Sequence, residues 1–87
     1  MKIVNKKCSV VCHFEANGKI NPIRIRISNE DQEYTVIKID KVIKQDLIKE
    51  YGKEYLRYTC QGAVQDLIKI FELRFYIKDL TWILYKI

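Results

Sequence analysis

Apolar and polar side chains alternate residue by residue along most of this chain, and few folds tolerate that pattern. Ile23-Arg24-Ile25-Arg26-Ile27 is the plainest run. Thr35-Val36-Ile37-Lys38-Ile39, Leu56-Arg57-Tyr58-Thr59-Cys60 and Phe71-Glu72-Leu73-Arg74-Phe75 repeat it. In an extended strand successive side chains point to opposite faces, so each run predicts a strand with one buried and one wetted face. The β-branched and aromatic content of these runs suits a half-buried pleated surface. With 87 residues the chain has room for a single domain. Its 48% hydrophobic content provides the dense core that so short a chain needs.

Turn chemistry falls between the runs. Asn17-Gly18 is a strong hairpin signal. A two-residue turn there predicts pairs Cys12 with Ile23, Val10 with Ile25 and Cys8 with Ile27, all on one apolar face. A one-residue slip would bring Arg24 and Arg26 to that face, and burial opposes it. The polar run Ser28 to Glu33, with turn residues Glu30-Asp31, joins strands two and three and sets Ile25 against Ile37 and Arg24 against Lys38. Lys44 to Lys53 departs from strict alternation. Asp46 can cap a short helix, Leu47, Ile48 and Tyr51 share one side of it, and Gly52 can end it, so a helical turn is expected near 46–52. Glu54 to Val64 and Leu67 to Ile77 then read as a hairpin turning at Gln65-Asp66. Thr81 to Ile87 is a last strand, apolar on both sides.

The expected fold class is all-β and mainly antiparallel. Two three-stranded meanders close their apolar faces on each other as a small barrel or a sandwich.

Few residues carry chemistry. Cys8 and Cys12, four apart on a strand, lie roughly 13 Å from each other along it, too far for a disulfide. His13, the only histidine, points to the face opposite Cys12, so no metal clamp forms there. Cysteine on an apolar face normally packs as core. No serine, aspartate or second histidine is spaced to build a nucleophilic triad, and no glycine cluster forms a phosphate loop. Catalytic, metal and cofactor sites are therefore expected to be none. The odd cysteine count fits reduced thiols in the cytoplasm better than a secreted disulfide framework. No apolar stretch is long enough for a membrane helix, and no membrane association is expected.

The outer face is more informative. The Gln65-Asp66 turn sets Arg57 opposite Arg74, Tyr55 opposite Tyr76 and Thr59 opposite Glu72. A three-residue turn at 78–80 would add Trp82 beside Tyr76, completing an aromatic row Tyr55–Tyr76–Trp82 next to two arginines. Like charges directly opposite one another are mildly destabilising, which invites an anionic partner. The candidate face is Arg24, Lys38, Tyr55, Arg57, Arg74, Tyr76 and Trp82. Arginines beside exposed aromatics are what single-stranded nucleic-acid platforms use. Glu72 and Asp40 lie close enough to neutralise some of that charge, and a formal net charge of +5 serves solubility equally well.

Phe14-Glu15-Ala16-Asn17-Gly18-Lys19-Ile20-Asn21-Pro22, Val36-Ile37-Lys38-Ile39-Asp40, Tyr58-Thr59-Cys60-Gln61, Phe71-Glu72-Leu73 and Trp82-Ile83-Leu84-Tyr85-Lys86-Ile87 resemble a group of short, functionally uncharacterised bacterial proteins. That group carries Asn-Gly where this chain has Gln65-Asp66, which supports a turn there. The resemblance implies the architecture and no activity, ligand or partner. The chain therefore reads as a binding or interaction module, in contact with a second copy or another protein. Two alternatives stand beside that reading. One is a nucleic-acid or acidic-partner binder using the candidate face; the other is a small enzyme, whose site no spacing supplies.

Overall fold

Each alternating run becomes a strand in the computed structural model, which describes residues 1–29, 31 and 33–87. The strands are β1 (Ile3–Phe14), β2 (Ile20–Ser28), β3 (Tyr34–Glu50), β4 (Lys53–Val64), β5 (Leu67–Tyr76) and β6 (Thr81–Lys86). All neighbours are antiparallel, and β6 returns to β1, so a single meander closes into a barrel. Between barrel and sandwich, closure decides. Going once round, the registers advance by roughly ten to twelve residues, a stagger that tilts the strands steeply against the barrel axis.

Side chains fill that interior. Ile25, Ile37, Tyr58, Cys60, Phe71, Leu73 and Leu84 are almost wholly buried, with Ile27, Ile39 and Phe75 beside them. The Tyr58 hydroxyl donates to the Ile20 carbonyl across the barrel at 2.8 Å, so its polar end is satisfied inside an apolar core. Gly62 sits where β3 crosses β4 so closely that a Cβ would strike the Lys38 carbonyl oxygen. Cys60 is buried, Cys8 and Cys12 are half-buried, and all three are free thiols. Among the described residues no helix is long and apolar enough to cross a membrane.

Several registers match those read from the sequence. Ile25 lies opposite Ile37, Arg24 opposite Lys38, Arg57 opposite Arg74, Tyr55 opposite Tyr76 and Thr59 opposite Glu72. The loop between β2 and β3 closes with Asn29 N–H donating to the Glu33 carbonyl. The Glu30-Asp31 turn expected there depends on Glu30, which lies outside the described residues.

Three expectations are corrected. The helical turn near 46–52 is absent: Lys44 to Glu50 is the far half of β3, and Tyr51-Gly52 is a hairpin turn with φ of 51° and 75°. A glycine that can end a helix and a glycine that can turn a hairpin answer the same left-handed requirement, and β4 supplied the hydrogen bonds that a short isolated helix lacks. The meanders are thus joined by a tight hairpin.

The second correction lies in the first hairpin. Gly18, at φ 90°, adds a third residue to the turn, and Glu15 N–H donates to the Lys19 carbonyl. A bulge between Val11 and Cys12 absorbs that residue, so Cys12 faces Pro22 and Ile23 is left exposed, while Val10 keeps its place opposite Ile25.

The third concerns β6. The turn between β5 and β6 spans four residues, 77–80, and not the expected three, so Phe75 and not Tyr76 faces Trp82, and a bulge between Glu72 and Leu73 then restores the expected pairing of Glu72 with Lys86. Trp82 therefore turns inward and packs on Phe75 and Tyr58, ring centroids 4.7 and 5.7 Å away.

Pro22 has a consequence for β3. Counting outward from the Glu15–Lys19 bond, hydrogen-bonded pairs alternate down the hairpin, and Pro22 turns its backbone nitrogen toward β3. That nitrogen carries no hydrogen to donate. The β2–β3 ladder stops at Arg24–Lys38, and β3 runs on to Glu50 with β4 as its partner.

Candidate functional site

The outside of the barrel divides into two faces of different chemistry. Over β4–β6 the cations are already engaged. The Arg74 Nε donates to Glu72 Oε2 at 2.7 Å and its Nη1 to the Tyr76 hydroxyl at 3.4 Å. Its guanidinium also stacks on Tyr85 and Tyr55, at 3.3 and 4.6 Å from the ring centroids. Burial works against the charge of Arg74, but the hydrogen bonds it donates to Tyr76 and Glu72 outweigh that and hold the guanidinium above its ordinary basicity. Arg57 pairs with Asp46 at 3.2 Å. Tyr55 is only 3% exposed, 5.0 Å from Tyr76, and its hydroxyl donates to Glu50. Burial, which outweighs the opposing Arg74 cation, and that bond push the Tyr55 phenol pKa up.

The structure thus brings Tyr55, Arg57, Arg74 and Tyr76 together and places Trp82 elsewhere. The expected outer row Tyr55–Tyr76–Trp82 is not formed: Trp82 turns inward, half-buried against the core, and Tyr55 is covered. The Asp46–Arg57 pair escaped the sequence reading because it requires Asp46 on a strand. Glu72 was expected to neutralise the Arg57–Arg74 pair and holds Arg74; Asp40, expected to do the same for Arg24 and Lys38, forms no ion pair with either among the described residues.

Over β1–β3 the situation reverses. Arg24 and Arg26 project from β2, two residues apart and roughly 7 Å along the strand. Lys38 lies directly across from Arg24 and Val36 across from Arg26. None of the three cations has a carboxylate within ion-pair distance among the described residues. The spans that build the face, Lys7–Val11, Arg24–Ser28 and Tyr34–Ile39, contain no aspartate or glutamate. Arg26 lies over the Tyr34 ring at 4.4 Å, and Tyr34 remains 58% exposed. Val11 and Val36 are also exposed, and with Ser9, Arg24 and Arg26 they line an open depression of about 450 Å³ on this face.

Arg24 and Lys38 are the two sequence candidates on this face. Arg26 and Tyr34 were missed, although Arg26 shares the alternation that placed Arg24 outward; Tyr34 sits at a loop edge, where the pattern gives no facing. His13 is exposed, and the described residues include no cluster of histidine, cysteine, aspartate or glutamate that could hold a metal ion.

No protein-family model, curated protein or solved structure matches this chain.

Proposed function

We propose that this barrel is a non-catalytic binding module that takes single-stranded nucleic acid on the outer face of β1–β3, and that it works in the cytoplasm with its thiols reduced. The observation that carries the reading is the contrast between the faces. Arg57 and Arg74 each hold a carboxylate, whereas Arg24, Arg26 and Lys38 stand together with none among the described residues. Keeping like charges opposed across a strand pair costs stability unless something anionic offsets it. Phosphates neutralise such cations with release of counterions. The exposed Tyr34 ring, already stacked by Arg26 on one side, offers a surface for a base. The packed interior leaves the outer surface as the place to bind.

Anisotropy titration of a labelled oligothymidine over a range of salt concentrations tests this. Arg24→Gln, Arg26→Gln and Lys38→Gln should each reduce the slope of log affinity against log salt by about one. Tyr34→Ala should weaken binding by roughly 1–3 kcal/mol with the slope retained. Lys78→Gln, in the exposed β5–β6 turn, removes the same unit of charge and should leave the slope unchanged. If Lys78→Gln matters as much as Arg24→Gln, binding is only a diffuse effect of net charge and the assignment of the face fails.

A further inference from the structure

Beyond Arg24–Lys38, β3 has a strand on one side only. Among the described residues its contacts with other strands are to β2 and β4 alone, and the β2 ladder ends where Pro22 interrupts it. A row of unpaired backbone groups is a template for another strand. Two bulges, between Ile39 and Lys41 and between Val42 and Lys44, break the regular geometry near the barrel, which confines any pairing to Lys44 through Glu50.

The hairpin turn fixes which groups face outward. In a two-residue turn the flanking pair, here Glu50 and Lys53, exchanges both hydrogen bonds, and bonded pairs alternate from there. Lys44, Asp46, Ile48 and Glu50 therefore bond to β4. Gln45, Leu47 and Lys49 direct their N–H and C=O groups to the free edge.

We propose that two copies of this chain pair antiparallel through that edge, about a two-fold axis at Leu47. Outward groups must meet outward groups, so the register can change only in steps that preserve that parity. One step toward the barrel sets Asp46 against Asp46. One step toward the turn sets Asp46 against Glu50, and the next sets Lys49 against Lys49. A register centred on Gln45 leaves only Lys44 to Asp46 in regular geometry. Centred on Leu47, the pairs are Lys44 with Glu50, Gln45 with Lys49, Asp46 with Ile48 and Leu47 with itself. Opposite charges meet twice and like charges never.

The same register covers what the monomer leaves bare. Leu47 is 53% exposed and meets its own copy; Tyr51, 98% exposed, comes to the level of the partner's Ile43, itself 47% exposed in one copy. Because a two-fold contact uses both edges, assembly stops at two and does not grow into a fibre.

Sedimentation equilibrium tests the proposal, and the parent chain should dimerise reversibly. Leu47→Pro removes an N–H aimed at the partner and none aimed at β4, so it should weaken the dimer by about tenfold or more with the strand signal in circular dichroism retained. Lys44→Glu alone places carboxylates opposite Glu50 and should also weaken it. Adding Glu50→Lys to that variant should restore the dimer, although the two positions are too far apart within one chain to meet. A parent that stays monomeric at all accessible concentrations overturns the proposal, and leaves the edge to a strand of another protein. A dimer indifferent to Leu47→Pro overturns the edge, and a charge swap that fails to restore pairing overturns the register.

Discussion

Tyr58 and Cys60 share the barrel interior, and both resist losing a proton there. Burial pushes the Cys60 thiol from an ordinary value of 9.0 up to about 12, and burial, helped by the nearby Cys12 and Cys60, pushes the Tyr58 phenol from 10.0 to about 12. Cys8 rises to about 11, again through burial, with a backbone contact at Leu84 opposing it. Each pKa is higher folded than unfolded, so the unfolded chain releases these protons first. The stability they carry is complete below about pH 9 and is lost as pH climbs toward 12. The melting temperature should therefore fall progressively above pH 9, and Cys60→Ala, besides its cavity cost, should show a shallower decline. A melting temperature flat from pH 8 to about 11 would refute this reading of the core. At this scale, facing was legible wherever alternation ran unbroken, as at Ile25, Leu73 and Arg57. It failed at Trp82 and Ile23. In each hairpin the turn holds one residue more than expected and shifts the register until a bulge absorbs it, and nothing in the composition of residues 16–18 or 77–80 signals the extra residue.

Among the elements, the β4–β5 hairpin was read in full, because its two-residue turn admits one register. That turn is also where the chain tolerates backbone strain. Gln65 and Asp66 sit at φ of 50° and 66°, a left-handed region that costs a residue with a Cβ roughly 1–2 kcal/mol. Replacing them by Asn and Gly relieves the strain in the same geometry. The double variant should gain about 1 kcal/mol or more, seen as a higher urea midpoint with an unchanged denaturant slope. An unchanged or lower midpoint would mean that the side chains of Gln65 or Asp66 compensate the strain. The β3–β4 hairpin was half legible. Its glycine was recognised, but Asp46 and Leu47-Ile48 satisfy helical and extended spacing alike over so short a span. What settled it was remote in sequence: Arg57 and Tyr55 on the opposing strand. The basic face on β1–β3 was half legible for a related reason. Its residues come from three strands, and only pairing shows that Arg24, Arg26, Lys38 and Tyr34 are neighbours.

In the molecule as a whole, every strand neighbours those adjacent to it in the chain, and the exception is the seam where β6 meets β1. Along that seam Lys2 and Ile87 exchange both backbone hydrogen bonds, at 2.8 and 2.9 Å, just as residues flanking a hairpin turn do. The seam is thus a sixth hairpin that lacks only its loop. It follows that the order in which the strands are synthesised is incidental to the barrel. A circular permutant, with a short glycine-rich linker from Ile87 to Met1 and new ends opened in the exposed Ala16–Lys19 loop, should give the same β circular dichroism and a melting temperature within a few degrees of the parent. Failure of that permutant to fold would show that the first hairpin must form early and intact. Success would make the barrel a ring without a privileged beginning, able to be cut at any turn that the two outer faces leave free.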